Sequence, residues 1–250
     1  MIVETPQSFV VREECRKAAA QNGYRRELGE AEGWARFGST TARGDLWLAA
    51  AGPVGPWFAA LDHSGVVAEL GATHAVLKGP GIARFAFAEL GNLYTTLARV
   101  YELGVALPDA PFAEFRAAVQ GMPATTEAER LVIARVGQDI FRARLMSYWR
   151  GRCPLTGITE PELLRASHII PWSECESDEE RLNVHNGLLL SALWDAAFDR
   201  ALVSFTDEGT PLFSRRLTAD ALSALRCEGR LALNDEHRMR LAKHRERLEK

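Results

Sequence analysis

Two short apolar runs, LLRASHII (163–170) and NGLLLS (186–191), constrain this chain more than any other feature. Each is too short for a packed helix and is bounded by turn-forming residues, and Pro171 stops the first, so both read as strands. Between them lies the loop SECESDEE (173–180), with five acids in eight residues. Ser191 then stands where it can cap a short, mostly apolar helix, ALWDAAFDR. Strand, loop, strand, short helix is the order of a ββα unit.

The flanks of this unit are helical. TTEAERLVIARVGQDIFRARLMSYW opens with a capping box, Thr126 to Glu129, and places Val132, Val136, Ile140, Phe141, Leu145 and Trp149 on one face. Downstream, ALVSFTDEGTPLFS reads as a hairpin around Asp207 to Gly209, and a helix pair closes the chain, its last member from Asn234 charged enough to be a surface helix. The first part of the chain has a different character. A helix over Val11 to Gln21 precedes strands at WARFGST, DLWLAAA and WFAALD, and ARFAFAELGNLYTTLARVYELG has core-helix spacing through Phe87, Leu90, Leu93, Tyr94, Leu97 and Tyr101. The Pro-containing stretches VALPDAPFAEF and GMPATT supply a connection at about 108–124. At 250 residues the chain can bury two modest cores, so the expected class is α+β: a small N-terminal α/β domain (1–115) whose role no motif assigns, recognition and sensing being the candidates, then a second domain (125–250).

No apolar run approaches the roughly 20 residues that a membrane helix needs. The start, MIVETPQSFVVREEC, has acids where a signal peptide has a basic end and an apolar middle, so a cytoplasmic protein with no membrane partner is expected. Cys15, Cys153, Cys175 and Cys227 form no CxxC pair, and the expectation is reduced thiols and no structural zinc. A net charge of −3 argues against bulk attraction to a polyanion. The charge is segregated, however. Arg130, Arg135, Arg142, Arg144, Arg150 and Arg152 face a single acid, Asp139, within their stretch, and arginine forks suit phosphate geometry.

The polar residues inside the ββα order carry the chemistry. His168 sits among isoleucines near a strand end, Asn186 follows eighteen residues later, and Asp195 and Asp199 lie nine and thirteen residues past it. Taken singly, a buried histidine is most often a hydrogen-bonded core residue and two surface aspartates are most often solvated. Four residues apart on a helix, however, the aspartates project from one face, and like charges at that spacing cost about 0.2–0.5 kcal/mol unless a cation lies between them. His185 neighbours Asn186, but adjacent strand residues face opposite ways, so it is not expected in the same site.

Together these residues resemble the HNH endonuclease family, whose ββα-metal unit cuts nucleic-acid phosphodiesters. The resemblance spans roughly 126–216 and is closest to the restriction-type branch, through VGQDIFRARLMSYWRGRCPLTG, RASHIIPW and NGLLLSALWDAAFDRALVSF. It implies that His168 is the general base, Asn186 the middle asparagine, Asp195 the last ligand position of the name, and Asp199 a further ligand one turn on. Two positions depart from the family's pattern. Many relatives have a metal-binding Asp or His before the base, where this chain has Ser167, and many have zinc knuckles where it has CPLTG with Cys153 alone.

The implied reaction is metal-dependent hydrolysis of DNA. A non-catalytic nucleic-acid-binding module and an RNA-directed nuclease are the other readings. An unperturbed histidine is mostly neutral at pH 7, so His168 could take a proton from water. Carboxylate ligands favour one hard divalent ion, Mg²⁺ or Mn²⁺, over Zn²⁺. Arg142, Arg144, Arg150, Arg152 and Arg165 are the candidate phosphate contacts, which position a substrate without reading its sequence. A double-strand cutter with one site per chain commonly needs two chains, so a homodimer is one expected assembly.

Overall fold

The computed structural model describes residues 2–248, and the chain divides into two compact units, Met1–Ala110 and Pro111–Lys250. The whole is mixed α+β, as expected.

The first unit is built on a five-stranded antiparallel meander, β1 (Arg26–Ala31), β2 (Trp34–Gly38), β3 (Leu46–Ala50), β4 (Trp57–Leu61) and β5 (Ala83–Phe87), in that spatial order. Helices α1 (Phe9–Gln21) and α3 (Leu90–Ala106) pack on its central strands, and α2 (Ser64–Leu70) packs on α3. Every residue of β4 is buried, because both faces of the sheet are covered. Trp34, Ala49, Phe58 and Ala60 form one cluster with Val3, Trp47 and Leu77 against it. Val11, Cys15, Leu93 and Leu97 belong to the helices' own buried set.

Two expectations change here. Ala83–Phe87 is a strand, not the start of the core helix, because pairing with all five residues of β4 and the alternating burial of Ala83 and Phe85 outweigh its helical spacing. The supposed connection contains a helix, α4 (Asp109–Ala118), which accommodates Pro111 in its first turn, where a backbone N–H would lack an intrahelical partner anyway.

In the second unit, α5 (Glu127–Tyr148) begins at the expected capping box, with Thr126 Oγ1 accepting from the Glu129 N–H and the Glu129 carboxylate accepting from Thr126 N–H. These hydrogen bonds hold the Glu129 carboxyl below its usual range. The buried stripe starts only at Gly137 and continues through Ile140, Phe141, Leu145 and Tyr148, whereas Val132 is exposed. Strands β6 (Leu164–His168) and β7 (Gly187–Ser191) pair antiparallel, with His168 opposite Gly187 and Ser167 opposite Leu188. Helices α5 and α7 (Ala192–Asp199) both pack on this ribbon. Gly187 lets α5 approach, since a Cβ there would lie 2.5 Å from Phe141 Cζ and 2.8 Å from Leu145 Cδ1. Helix α6 (Asp178–Leu182) lies in the connection between the strands.

The hairpin β8 (Val203–Phe205) with β9 (Pro211–Phe213), then α8 (Ala219–Ala224) and α9 (Asp235–Leu248), complete the unit. Helix α9 is not a simple surface helix: His237, Leu241 and His244 are buried and it packs on β8 and on the turn at Val184–Asn186. His244 stacks on Phe198 with ring centroids 3.9 Å apart. Its Nε2–H donates to Phe198 O at 3.1 Å and its Nδ1 accepts from Ser204 Oγ at 3.0 Å. Burial pushes its pKa down to about 4, so the ring is neutral and locks α9 to the end of α7. Among the described residues no helix is long and apolar enough to cross a membrane.

Candidate active site

The alternation along β6 sorts its two polar residues onto opposite faces. His168 faces α5, and Ser167 faces α7.

The His168 ring lies flat on Phe141, with centroids 3.8 Å apart and planes 21° from parallel, and meets Trp172 edge-on at 5.5 Å. Its Nε2 is 2.9 Å from the carbonyl oxygen of Arg181. A carbonyl can only accept, so Nε2 carries the proton and donates, which leaves the Nδ1 lone pair as the basic position of the ring. Burial lowers the pKa of His168 below the ordinary histidine value, with the hydrogen bond to Arg181 opposing it in part. The imidazole is therefore neutral at neutral pH and oriented by a backbone group.

The residue before that carbonyl, Glu180, is held by Asn186, which is fully buried. Its Oδ1 accepts from the Ile170 N–H at 2.9 Å, and its Nδ2 donates to Ile170 O at 3.2 Å and to Glu180 O at 3.4 Å, with Cys175 Sγ also 3.4 Å away. The Asn186 carbonyl accepts from Ile169 N–H at 3.0 Å. One amide thus ties both ends of the 170–180 loop to the start of β7. Arg181 adds to the same frame, donating to Trp172 O and Cys175 O, with its guanidinium carbon 5.9 Å from the centre of the Trp172 ring.

On the other face, the buried Ser167 hydroxyl donates to Asp195 Oδ1 at 2.5 Å. The residue that stands where relatives place a metal ligand is therefore a support for the neighbouring carboxylate. Asp199 is one turn further along α7 and exposed. Its carboxyl is pushed above the usual carboxylate range by partial burial and then by the charge of Asp195, with Arg247 and Arg200 pulling it back. Among the described residues no group of three His, Cys, Asp or Glu side chains converges as a metal cage. Two mutually repelling carboxylates, one oriented by a hydroxyl, fit a hard ion that keeps waters and takes further oxygens from a substrate phosphate. The pair does not fit a tetrahedral site of nitrogen and sulfur donors.

The five arginines divide. Arg142 donates to Leu164 O at 2.8 Å and Pro161 O at 2.6 Å, and Arg144 to Glu114 at 2.9 and 2.6 Å; both tie α5 to its neighbours. Arg165 is exposed and donates from one nitrogen to Glu162 O and Leu164 O. Arg150 and Arg152 follow the end of α5, Arg150 with a φ of 55°, and both are exposed. His185 is not on a strand: it lies in a short 3-10 turn, Val184–Asn186, because the Asn183 side chain caps its N–H and β7 begins only at Gly187. Its buried ring meets Tyr148 and His237, away from His168. The backbone acceptor at Arg181, and the box that Phe141 and Trp172 make around His168, leave no mark in residue spacing and are not expected from it.

Residues 153–206 match a family model described as HNH endonuclease. That segment contains His168, Asn186, Asp195 and Asp199. No curated protein matches the chain in a sequence search.

Proposed function

We propose, on the match of residues 153–206 to the HNH endonuclease family model, that the second unit is a metal-dependent endonuclease that hydrolyses DNA phosphodiester bonds, of the restriction or defence kind. The observation that carries this reading is the neutral His168, with Nε2–H fixed on Arg181 O and Nδ1 left as a base. Nδ1 takes the proton of the attacking water. Asn186 holds the loop that carries the Arg181 carbonyl, and so the angle of the imidazole. Asp195 and Asp199 would hold one divalent ion, with Ser167 fixing the first carboxylate. When bound, such an ion supplies charge stabilisation at the phosphoryl and leaving oxygens. Oxygen donors favour Mg²⁺ or Mn²⁺. Arg150, Arg152 and Arg165 are the arginines best placed for backbone phosphates, while Arg142 and Arg144 act mainly as internal braces.

Supercoiled plasmid incubated with the full chain is expected to be nicked or linearised in Mg²⁺ or Mn²⁺ and left intact in EDTA. Binding without cleavage in every metal would instead assign the unit to a non-catalytic module, and cleavage of an RNA strand in preference to DNA would move the substrate class.

A further inference from the structure

The basic residues of α9 fall into two sets. Arg238 is paired with Asp235 at 2.7 Å, Arg240 with Glu236 at 3.0 Å, and Arg245 with Asp207 at 2.9 Å. Lys243 and Arg247, four residues apart and so one above the other on the helix, make no hydrogen bond or ion pair among the described residues. Both line an open cavity of about 180 Å³ that is also lined by Ile169, Ile170 and Pro171, the three residues that follow His168.

We propose that Lys243 and Arg247 hold a backbone phosphate of the nucleic acid beside the His168 loop. The helix that presents them is rigid at this point, because His244 between them is buried and bonded to Ser204 and Phe198. Arg247 also lies within electrostatic reach of Asp199. Glu174, Glu176 and Glu180, with His244, complete the lining. The Glu180 carboxylate is occupied by the Glu176 N–H at 2.8 Å, and none of the three pairs with Lys243 or Arg247. The volume is well under the roughly 300–1,000 Å³ of small-molecule pockets and suits a phosphate group with its waters.

This inference rests on the nuclease reading, but its test does not need cleavage. Binding of the full chain to a fluorescein-labelled DNA duplex is measured in EDTA as a function of NaCl. Lys243→Ala and Arg247→Ala should each weaken binding several-fold and reduce the slope of log K against log[salt] by about one. Arg247→Lys should keep the slope, and Arg238→Ala, on the same helix but already paired, should leave it unchanged. Both target side chains reach solvent, so folding is expected to survive; Lys243→Gln and Arg247→Gln, checked by circular dichroism, give the same readout if an alanine variant misfolds. An unchanged slope in the double variant overturns the phosphate site, as does a wild-type chain that binds no DNA. A wild-type chain that binds, loses slope in these variants and yet cuts nothing in any metal keeps the phosphate site and removes the nuclease reading instead.

Discussion

Replacing His168 by alanine is expected to lower the rate of DNA cleavage by about 10²–10⁴-fold, the range a positioned general base contributes. DNA affinity in EDTA should change little, because the imidazole is neutral and contributes no charge to phosphate binding. The wild-type rate should also have a characteristic pH dependence. His168 acts only when unprotonated, and burial lowers its pKa. Cleavage should therefore be fully developed at and above the ordinary histidine pKa of about 6.5 and fall only as pH drops through the lowered value. The same shift has a consequence for stability. With a folded pKa below the unfolded one, this histidine's contribution is fully present above about pH 6.5 and is lost as pH falls through its folded pKa. A purely structural His168, packed between Phe141 and Trp172, makes a different prediction: the alanine variant would lose melting temperature while its folded fraction cleaved at the wild-type rate. Rate per folded molecule, with the melting curve of the same preparation, distinguishes the two.

The second large effect is expected at the carboxylates. Asp195→Asn and Asp199→Asn should each reduce cleavage by roughly a hundredfold or more, on the order of what other groups that stabilise transition-state charge contribute. Both substitutions keep shape, and in Asp195→Asn the amide oxygen could still accept from the Ser167 hydroxyl, so loss of activity would not reflect loss of packing. Stability should move the other way. Without metal, the two aspartates repel each other, which contributes to the raised Asp199 pKa. Removing one charge should relieve about 0.2–0.5 kcal/mol, a small rise in melting temperature or none. Adding Mn²⁺ should raise the melting temperature of the wild type, as any ligand specific to the folded state does, and should do so much less in either variant. Equal stabilisation of all three proteins by Mn²⁺ would place the ion elsewhere.

How much of this is legible in the sequence differs between the two units. In the second, the strand end at Ser191, the capping box at Thr126 and the hairpin around Asp207 to Gly209 are local features, and the structure has them where the residues put them, whereas β6 ends at His168, before the expected stop at Pro171. In the first, β5 is hidden because Phe87 fits a helical spacing with Leu90 and Tyr94, and only a partner strand distant in sequence makes Ala83–Phe87 extended. The same holds at the site. His168 and Asn186 stand out as polar residues in apolar runs, and Asp195 and Asp199 by their spacing. The acceptor for His168 is a backbone carbonyl, which every residue has, and so no residue type could point to Arg181. Ser167 departs from a metal-binding pattern, and only its contact with Asp195 gives it a role. The charge on α9 reads as a solvated face because composition cannot separate Arg238, Arg240 and Arg245, which have acidic partners, from Lys243 and Arg247, which have none among the described residues.

One hydrolytic site requires His168, at the end of β6, and the Asp195–Asp199 pair, on the other face of the β6–β7 ribbon, to reach the same phosphate. Anomalous diffraction from crystals of the full chain grown with Mn²⁺ and a short DNA duplex tests it most directly. A single strong peak bonded to oxygens of both Asp195 and Asp199 is expected, with a backbone phosphate between that ion and His168 Nδ1. A peak held by other side chains, with Asp195 bonded only to Ser167 and no phosphate near His168, would contradict it.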